Sequence, residues 1–401
     1  MTVNSNAAPI APAIPDTIAL LKDGRQTVRI VCFGDSITGV YYHSGGRCAW
    51  SDMLGAGLSM VYPRAKIEVI NAGGSGRTTV GALEQIGSTV LSRKPQLVIA
   101  MFGMNDVVNV PVETYRSNLV QIVKQCRAVG AEVVLCTPTA TYPNKERPAD
   151  KLAQFCGIVR SVGMELHTPV VDCYRAFDDI RVQDPRAWLL MMSDTIHPNM
   201  NGHKVIAEEI IATLTARRVS LADAPPPCPV IPRTLALLAE GKTVKVIAMP
   251  PFDKFIVRGV REIKSNGRVE VTTWPTAGKS LADIQAWSPG IRPMKPDLVI
   301  LAIPASAAGA TEADVINRHT KIIQNSISYG RQEWDCCGVH PSVTKAELSA
   351  AEIKLAQSGA EVFHALHVGT VIRPTNDLSS AEDIFFRWLR SQAQRETKRR
   401  D

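Results

Sequence analysis

In the first half of this 401-residue chain, five short apolar runs alternate with amphipathic stretches, and that alternation restricts the fold more than any other feature. The runs lie at 27–33 (TVRIVCF), 66–71 (KIEVIN), 97–102 (LVIAMF), 132–137 (EVVLCT) and 169–173 (PVVDC). Each is rich in β-branched residues and apolar at successive positions, so it needs cover on both faces, the condition of a strand in a parallel sheet. Amphipathic stretches at 49–60, 80–91, 112–128, 149–162 and 201–216 supply the covering helices. The expected fold is a doubly wound, flavodoxin-like α/β domain with a mainly parallel five-stranded sheet. Its functional groups should sit beyond the carboxyl ends of the strands.

A proline cluster at 219–230 (VSLADAPPPCPV) ends the alternation and reads as a linker. Beyond it the pattern restarts. Residues 14–21 (IPDTIALL) are echoed by 231–238 (IPRTLALL), and 94–99 (KPQLVI) by 295–300 (KPDLVI). Further echoes keep the same order: 244–248 matches the first strand, 269–273 the second, 333–337 the fourth, 361–365 a late strand, and 381–384 matches 207–210. A tandem duplication follows from this, with one α/β domain over 1–218 and a second of the same kind, again with a five-stranded sheet, over 231–401. A chain of this length exceeds the size at which one core stops growing, so two domains are also the natural division.

Bulk properties exclude several classes. The formal charge of +7 is modest and is carried in part by the terminal run 395–401, read as a frayed solvated tail, so no nucleic-acid surface is expected. Nine cysteines form no CxxC pair and no zinc-type cluster with histidine. Several lie inside strand-like runs, as buried free thiols of a reducing compartment would. The first sixteen residues lack the basic and apolar regions of an export signal, and no run approaches the ~18 apolar residues of a membrane span. A cytoplasmic protein is expected, unless an export signal has been trimmed.

Four short blocks carry the chemistry: Gly34-Asp35-Ser36-Ile37, the loop 71–79 (NAGGSGRTT), Gly103-Met104-Asn105-Asp106, and Asp194-Thr195-Ile196-His197. Each follows an apolar run or opens a helical pattern, so each falls where a sheet displays its functional groups. Together they offer a hydroxyl nucleophile, an imidazole base, a carboxylate to orient it and amide donors for a developing oxyanion.

In order and spacing these blocks resemble those of the SGNH hydrolases, the GDSL-type esterases and lipases, over roughly residues 14–217. The resemblance implies Ser36 as nucleophile, with its own N–H, Gly76 and Asn105 as oxyanion donors, and Asp194 with His197 completing a triad. It implies an ester hydrolase working through an acyl-enzyme, with no metal or other cofactor. A short acyl group, acetyl on a carbohydrate or small ester, is favoured by the polar loops near Ser36. Lysophospholipid and thioester substrates stay open, as does a chiefly binding role.

Other residues carry two readings. Asp35 is expected to cap a following helix, with a place beside the substrate as the alternative. Asp106 should anchor the Asn105 loop. His43, beside Tyr41, Tyr42 and Arg47, either lines the substrate pocket or is merely solvated. Arg77 either attracts an anionic or hydroxyl-rich substrate or pairs with Asp35 or Asp106. His203 should face solvent or pack locally. In the second half, Pro250-Pro251-Phe252, Pro304-Ala305-Ser306 and Arg373-Pro374 stand where the first has its catalytic blocks, so that domain reads as non-catalytic. His340 is expected to be structural or at the surface, and Trp274, Trp287 and Trp334 to be core or interface residues, with loops around them narrowing the pocket as the alternative.

Overall fold

The computed structural model describes residues 14–307, 311–345, 347–366, 368–369, 371–374 and 379–400, with side chains up to Glu396. The N-terminal stretch up to residue 13 and Asp401, on which part of the export and tail readings rest, lie outside the described residues. The chain divides into two compact units. The first takes in residues up to Val40, Cys48–Trp188 and Asp194–Ala224; the second takes in Tyr41–Arg47, Leu189–Ser193 and everything from Pro225.

The first unit is built on strands β1 (Thr27–Gly34), β2 (Lys66–Gly73), β3 (Leu97–Met101), β4 (Glu132–Cys136) and β5 (Val170–Val171). They pair in the order β2-β1-β3-β4-β5, every pair parallel. Val31, Phe33, Val98, Ala100, Val133 and Leu135 from the central strands pack in one core with Tyr115, Ile122 and Phe155 from the helices Val112–Ala128 and Ala149–Glu165. Burial of each such large side chain contributes about 1.5–3 kcal/mol. The last strand is shorter than its apolar run suggests, because Asp172 accepts the Arg175 amide at 3.2 Å and starts the helix Cys173–Gln183. The alternation of runs and amphipathic stretches leaves out that helix, although Cys173, Phe177 and Ile180 keep a helical spacing, and leaves out the following Pro185–Met191 as well.

The second unit has strands β6 (Thr243–Ala248), β7 (Arg268–Thr273), β8 (Leu298–Leu301) and β9 (Asp335–Gly338), paired in parallel in the order β7-β6-β8-β9. This repeats the order β2-β1-β3-β4. In place of the expected fifth strand there is one parallel bridge, Val339 with Ile372, among the described residues. Residues 361–365, read as a late strand, lie within the helix Ala350–Ala365, whose N-terminus is fixed by a Ser349/Glu352 capping box. The helix Ala381–Arg400 runs into the C-terminal segment as far as Arg400.

Small devices recur in both units. Glu132 at the start of β4 accepts the amides of Asp16 and Thr17 at 3.2 and 2.7 Å, capping the helix Pro15–Asp23. Asp335 at the start of β9 accepts those of Arg233 and Thr234 at 3.4 and 2.7 Å, capping Pro232–Ala239. Gln96 accepts the Arg29 amide at 2.7 Å, and Asp297 accepts the Lys245 amide at 2.9 Å. Lys94 and Lys295, each before a proline, both adopt the left-handed conformation, with φ of 49° and 45°.

Candidate active site

Strand register brings the first three blocks to one level, because Gly34 lies opposite both Gly73 and Met101. Ser36 follows β1 by two residues, Gly76 follows β2 by three and Asn105 follows β3 by four. The segment after Ser36 is a tight turn, where the sequence suggested a helix. The Asp35 carbonyl accepts the amides of Thr38 and Gly39 at 3.2 and 3.1 Å, and its carboxylate accepts that of Ile37 at 2.9 Å. A side chain on Gly34 would stand 2.1 Å from the Thr38 hydroxyl, so the turn closes this tightly only over glycine. Asn71 ties the turn down, donating to the Thr38 carbonyl at 2.6 Å and accepting the Gly73 amide at 3.0 Å.

Ser36 and His197 meet directly, with Oγ 2.9 Å from Nε2. On the other side of the ring, Nδ1 lies 2.8 and 3.1 Å from the two Asp194 oxygens. If Nδ1 donates to the carboxylate, Nε2 is left as the acceptor for the serine proton. Asp194 Oδ1 also accepts the amides of Ile196 and His197 at 2.9 and 2.8 Å, which fold the four-residue block into a turn. Burial alone would raise the Asp194 pKa, but the imidazole and these two amides outweigh it and hold the carboxyl well below the usual range. The acid is therefore ionised throughout the neutral range.

Gly76 is left-handed, with φ of 66°. Among the described residues neither its amide nor that of Ser36 has an acceptor. Asn105 is 8 % exposed, and one of its Nδ2 hydrogens goes to the Arg77 carbonyl at 3.2 Å. Arg147, which no motif picked out, donates to the Met104 carbonyl at 2.8 Å and reaches Asn105 Oδ1 at 3.5 Å. A lone arginine in a polar loop gives sequence reasoning nothing to measure it against. Asp106 is buried and accepts both the amide and the hydroxyl of Thr79, as an anchor should.

The three residues considered for substrate contact are placed differently. Asp35 is 1 % exposed, and burial, the dominant cause, pushes its carboxyl up to about 7 against the pull of the Ile37 amide. Arg77 donates to the Ala72 and Gly34 carbonyls at 2.6 and 3.4 Å and to Gln85 at 2.8 Å, with its guanidinium over the Phe33 ring. It braces the glycine loop. His43 is buried rather than solvated; its ring contacts those of Tyr41 and Tyr42, within the second unit. His203 is buried too, and accepts the Trp50 amide at 2.8 Å. His340 follows β9 and holds a short turn through Ser342. Trp274 and Trp334 are core residues, and half-buried Trp287 stacks on Trp274. Among the described residues no group of three or more histidine, cysteine or acidic side chains could hold a metal ion.

A parallel sheet with a serine–imidazole–carboxylate relay at its carboxyl edge is the architecture of a carboxylic ester hydrolase. Residues 32–205 match the GDSL-like Lipase/Acylhydrolase family. An acetylxylan esterase of Geobacillus stearothermophilus is 26 % identical over 167 residues, covering 38 % of this chain and 75 % of that protein. The uncharacterized lipoprotein YqeF of Bacillus subtilis is 25 % identical over 223 residues, covering 47 % and 90 %. Among solved structures, a lipase/acylhydrolase from Enterococcus faecalis aligns at 27 % identity and a TM-score of 0.42 over 48 % of this chain and 97 % of that one. The match covers residues 32–205, and it is this part of the chain that resembles the GDSL-like lipases and acylhydrolases of the SGNH hydrolase superfamily.

Proposed function

We propose that the protein removes short acyl groups, acetyl above all, from a carbohydrate or similar small alcohol through an acyl-enzyme on Ser36. The observation that carries this reading is the continuous relay from Ser36 Oγ through His197 to Asp194. His197 Nε2 takes the hydroxyl proton as Oγ attacks the acyl carbon, and the Asp194 carboxylate stabilises the imidazolium that forms. The N–H groups of Ser36 and Gly76 and the second Nδ2 hydrogen of Asn105 serve the tetrahedral oxyanion. His197 returns its proton to the departing alcohol. Water then enters by the same route in reverse, and the free acid leaves. The named activity of the Geobacillus relative supports acetyl as the acyl group.

The second unit is read as a non-catalytic copy of the first. Its support is the repeated strand order, the paired caps at Glu132 and Asp335, and the paired left-handed lysines. On this reading 1–218 is the catalytic domain, 219–230 the linker and 231–401 the inactive copy. Nine free thiols, seven of them buried, favour the cytoplasm. Among the described residues no helix is long and apolar enough to cross a membrane.

Wild type should hydrolyse p-nitrophenyl acetate faster than longer acyl chains and should be labelled at Ser36 by a fluorophosphonate. Ser36→Ala should lose both, and Asn105→Ala should lower kcat by about 10²–10³. Equal turnover by wild type and Ser36→Ala would remove the mechanism; a preference for long chains or thioesters would move the substrate class.

A further inference from the structure

Two short segments of the first half, Tyr41–Arg47 and Leu189–Ser193, are parts of the second unit. Inside that unit they are held closely. The Tyr42 amide donates to the Tyr329 carbonyl at 3.0 Å, and the Gln332 amide donates to the Gly46 carbonyl at 2.8 Å. Arg47 donates to the carbonyls of Pro227, Pro229 and Val230 at 3.2, 3.1 and 2.6 Å. The Ser193 hydroxyl donates to the His43 carbonyl. Gln324, on the helix Glu312–Asn325 and 7 % exposed, donates from Nε2 to the Ser193 carbonyl at 3.0 Å.

That last bond falls on a particular peptide group. The carbonyl belongs to Ser193 and the N–H of the same plane belongs to Asp194, whose N–H points to the His197 carbonyl at 3.5 Å. A peptide plane is rigid, so fixing its carbonyl fixes the direction in which the chain enters the Asp194–His197 turn. We propose that Gln324 is a positioning residue for the candidate acid and base, and that the second unit thereby contributes to catalysis without a catalytic group of its own. This rests on the esterase reading above.

The test compares full-length variants on p-nitrophenyl acetate. Gln324→Met keeps the volume and removes the donor; it should lower kcat about 10- to 100-fold, the scale of a catalytic group displaced by about 1 Å, with KM little changed. The fluorophosphonate labelling rate at Ser36 should fall in parallel. Gln324→Glu, which turns a carboxylate oxygen toward the carbonyl, should be at least as impaired. Thr320→Val is the control, since among the described residues this buried hydroxyl on the same helix bonds only to the Ile316 carbonyl, at 2.8 Å; it should lose stability and keep kcat. Unchanged kcat in Gln324→Met, or an equal loss in Thr320→Val, would overturn the role of Gln324 while leaving the esterase reading standing. A wild-type chain that neither labels nor turns over ester would overturn both.

Discussion

Two aspartates of the first unit are pulled in opposite directions by their surroundings, and the pH dependence of stability separates them. Asp194 is held below its ordinary value, so its contribution is present above pH ~4 and is lost as pH falls through its depressed folded value. Asp35 is raised from 3.8 to about 7, mainly by burial. Between those two values the folded state holds a proton that the unfolded chain has released, so stability falls as pH rises, by at most about 1.4 kcal/mol per pH unit. Asp35→Asn keeps an oxygen for the Ile37 amide and removes the titration. Urea midpoints of wild type minus variant should drift downward from pH 4 to pH 7 and level off above; parallel curves would contradict the assignment. The residues proposed to react were picked out in the sequence because their types and order are themselves the signal. Those that hold them were not: Arg147 and Gln324 act through hydrogen bonds to groups far away in the chain, and no local spacing records such a partner. Asp35 was legible as a cap and misjudged in what it caps, because a three-residue turn and the first turn of a helix begin with the same aspartate.

Among the elements, the helices and strands that pack on both sides of the first sheet follow the apolar runs to within a few residues, since burial sets their period. Errors fell where a polar side chain ends an element early. Asp172 cuts the run 169–173 to Val170–Val171, and the Ser349/Glu352 capping box starts a helix that takes in 361–365. Asn71 shows how an edge residue of a strand can matter to a neighbouring loop. It bridges the Thr38 carbonyl, the Ser51 hydroxyl and the Gly73 amide. Asn71→Ala should cost about 2–4 kcal/mol, at roughly 1 kcal/mol per bond plus the polar groups left unpaired. It should also reduce kcat, because the Ser36 turn loses its tether. A melting temperature within a degree of wild type would count against this.

At the scale of the whole molecule, the segments 94–99 and 295–300 read alike in sequence, and each places a left-handed lysine before a proline. The division into units was not readable, since membership of Tyr41–Arg47 and Leu189–Ser193 in the second unit depends on partners such as Tyr329, Gln332 and Gln324, some 130 to 290 positions away. A chain ending at residue 230 keeps Ser36, Asp194 and His197 and loses those partners. It should show little fluorophosphonate labelling; a soluble fragment labelled at the wild-type rate would contradict this. The same threading bears on how the protein is made. When residue 224 leaves the ribosome, the pieces at 41–47 and 189–193 still await neighbours that have not been translated. Vectorial synthesis cannot finish one half before beginning the other, and competence for chemistry should emerge only once the last third of the polypeptide has been delivered.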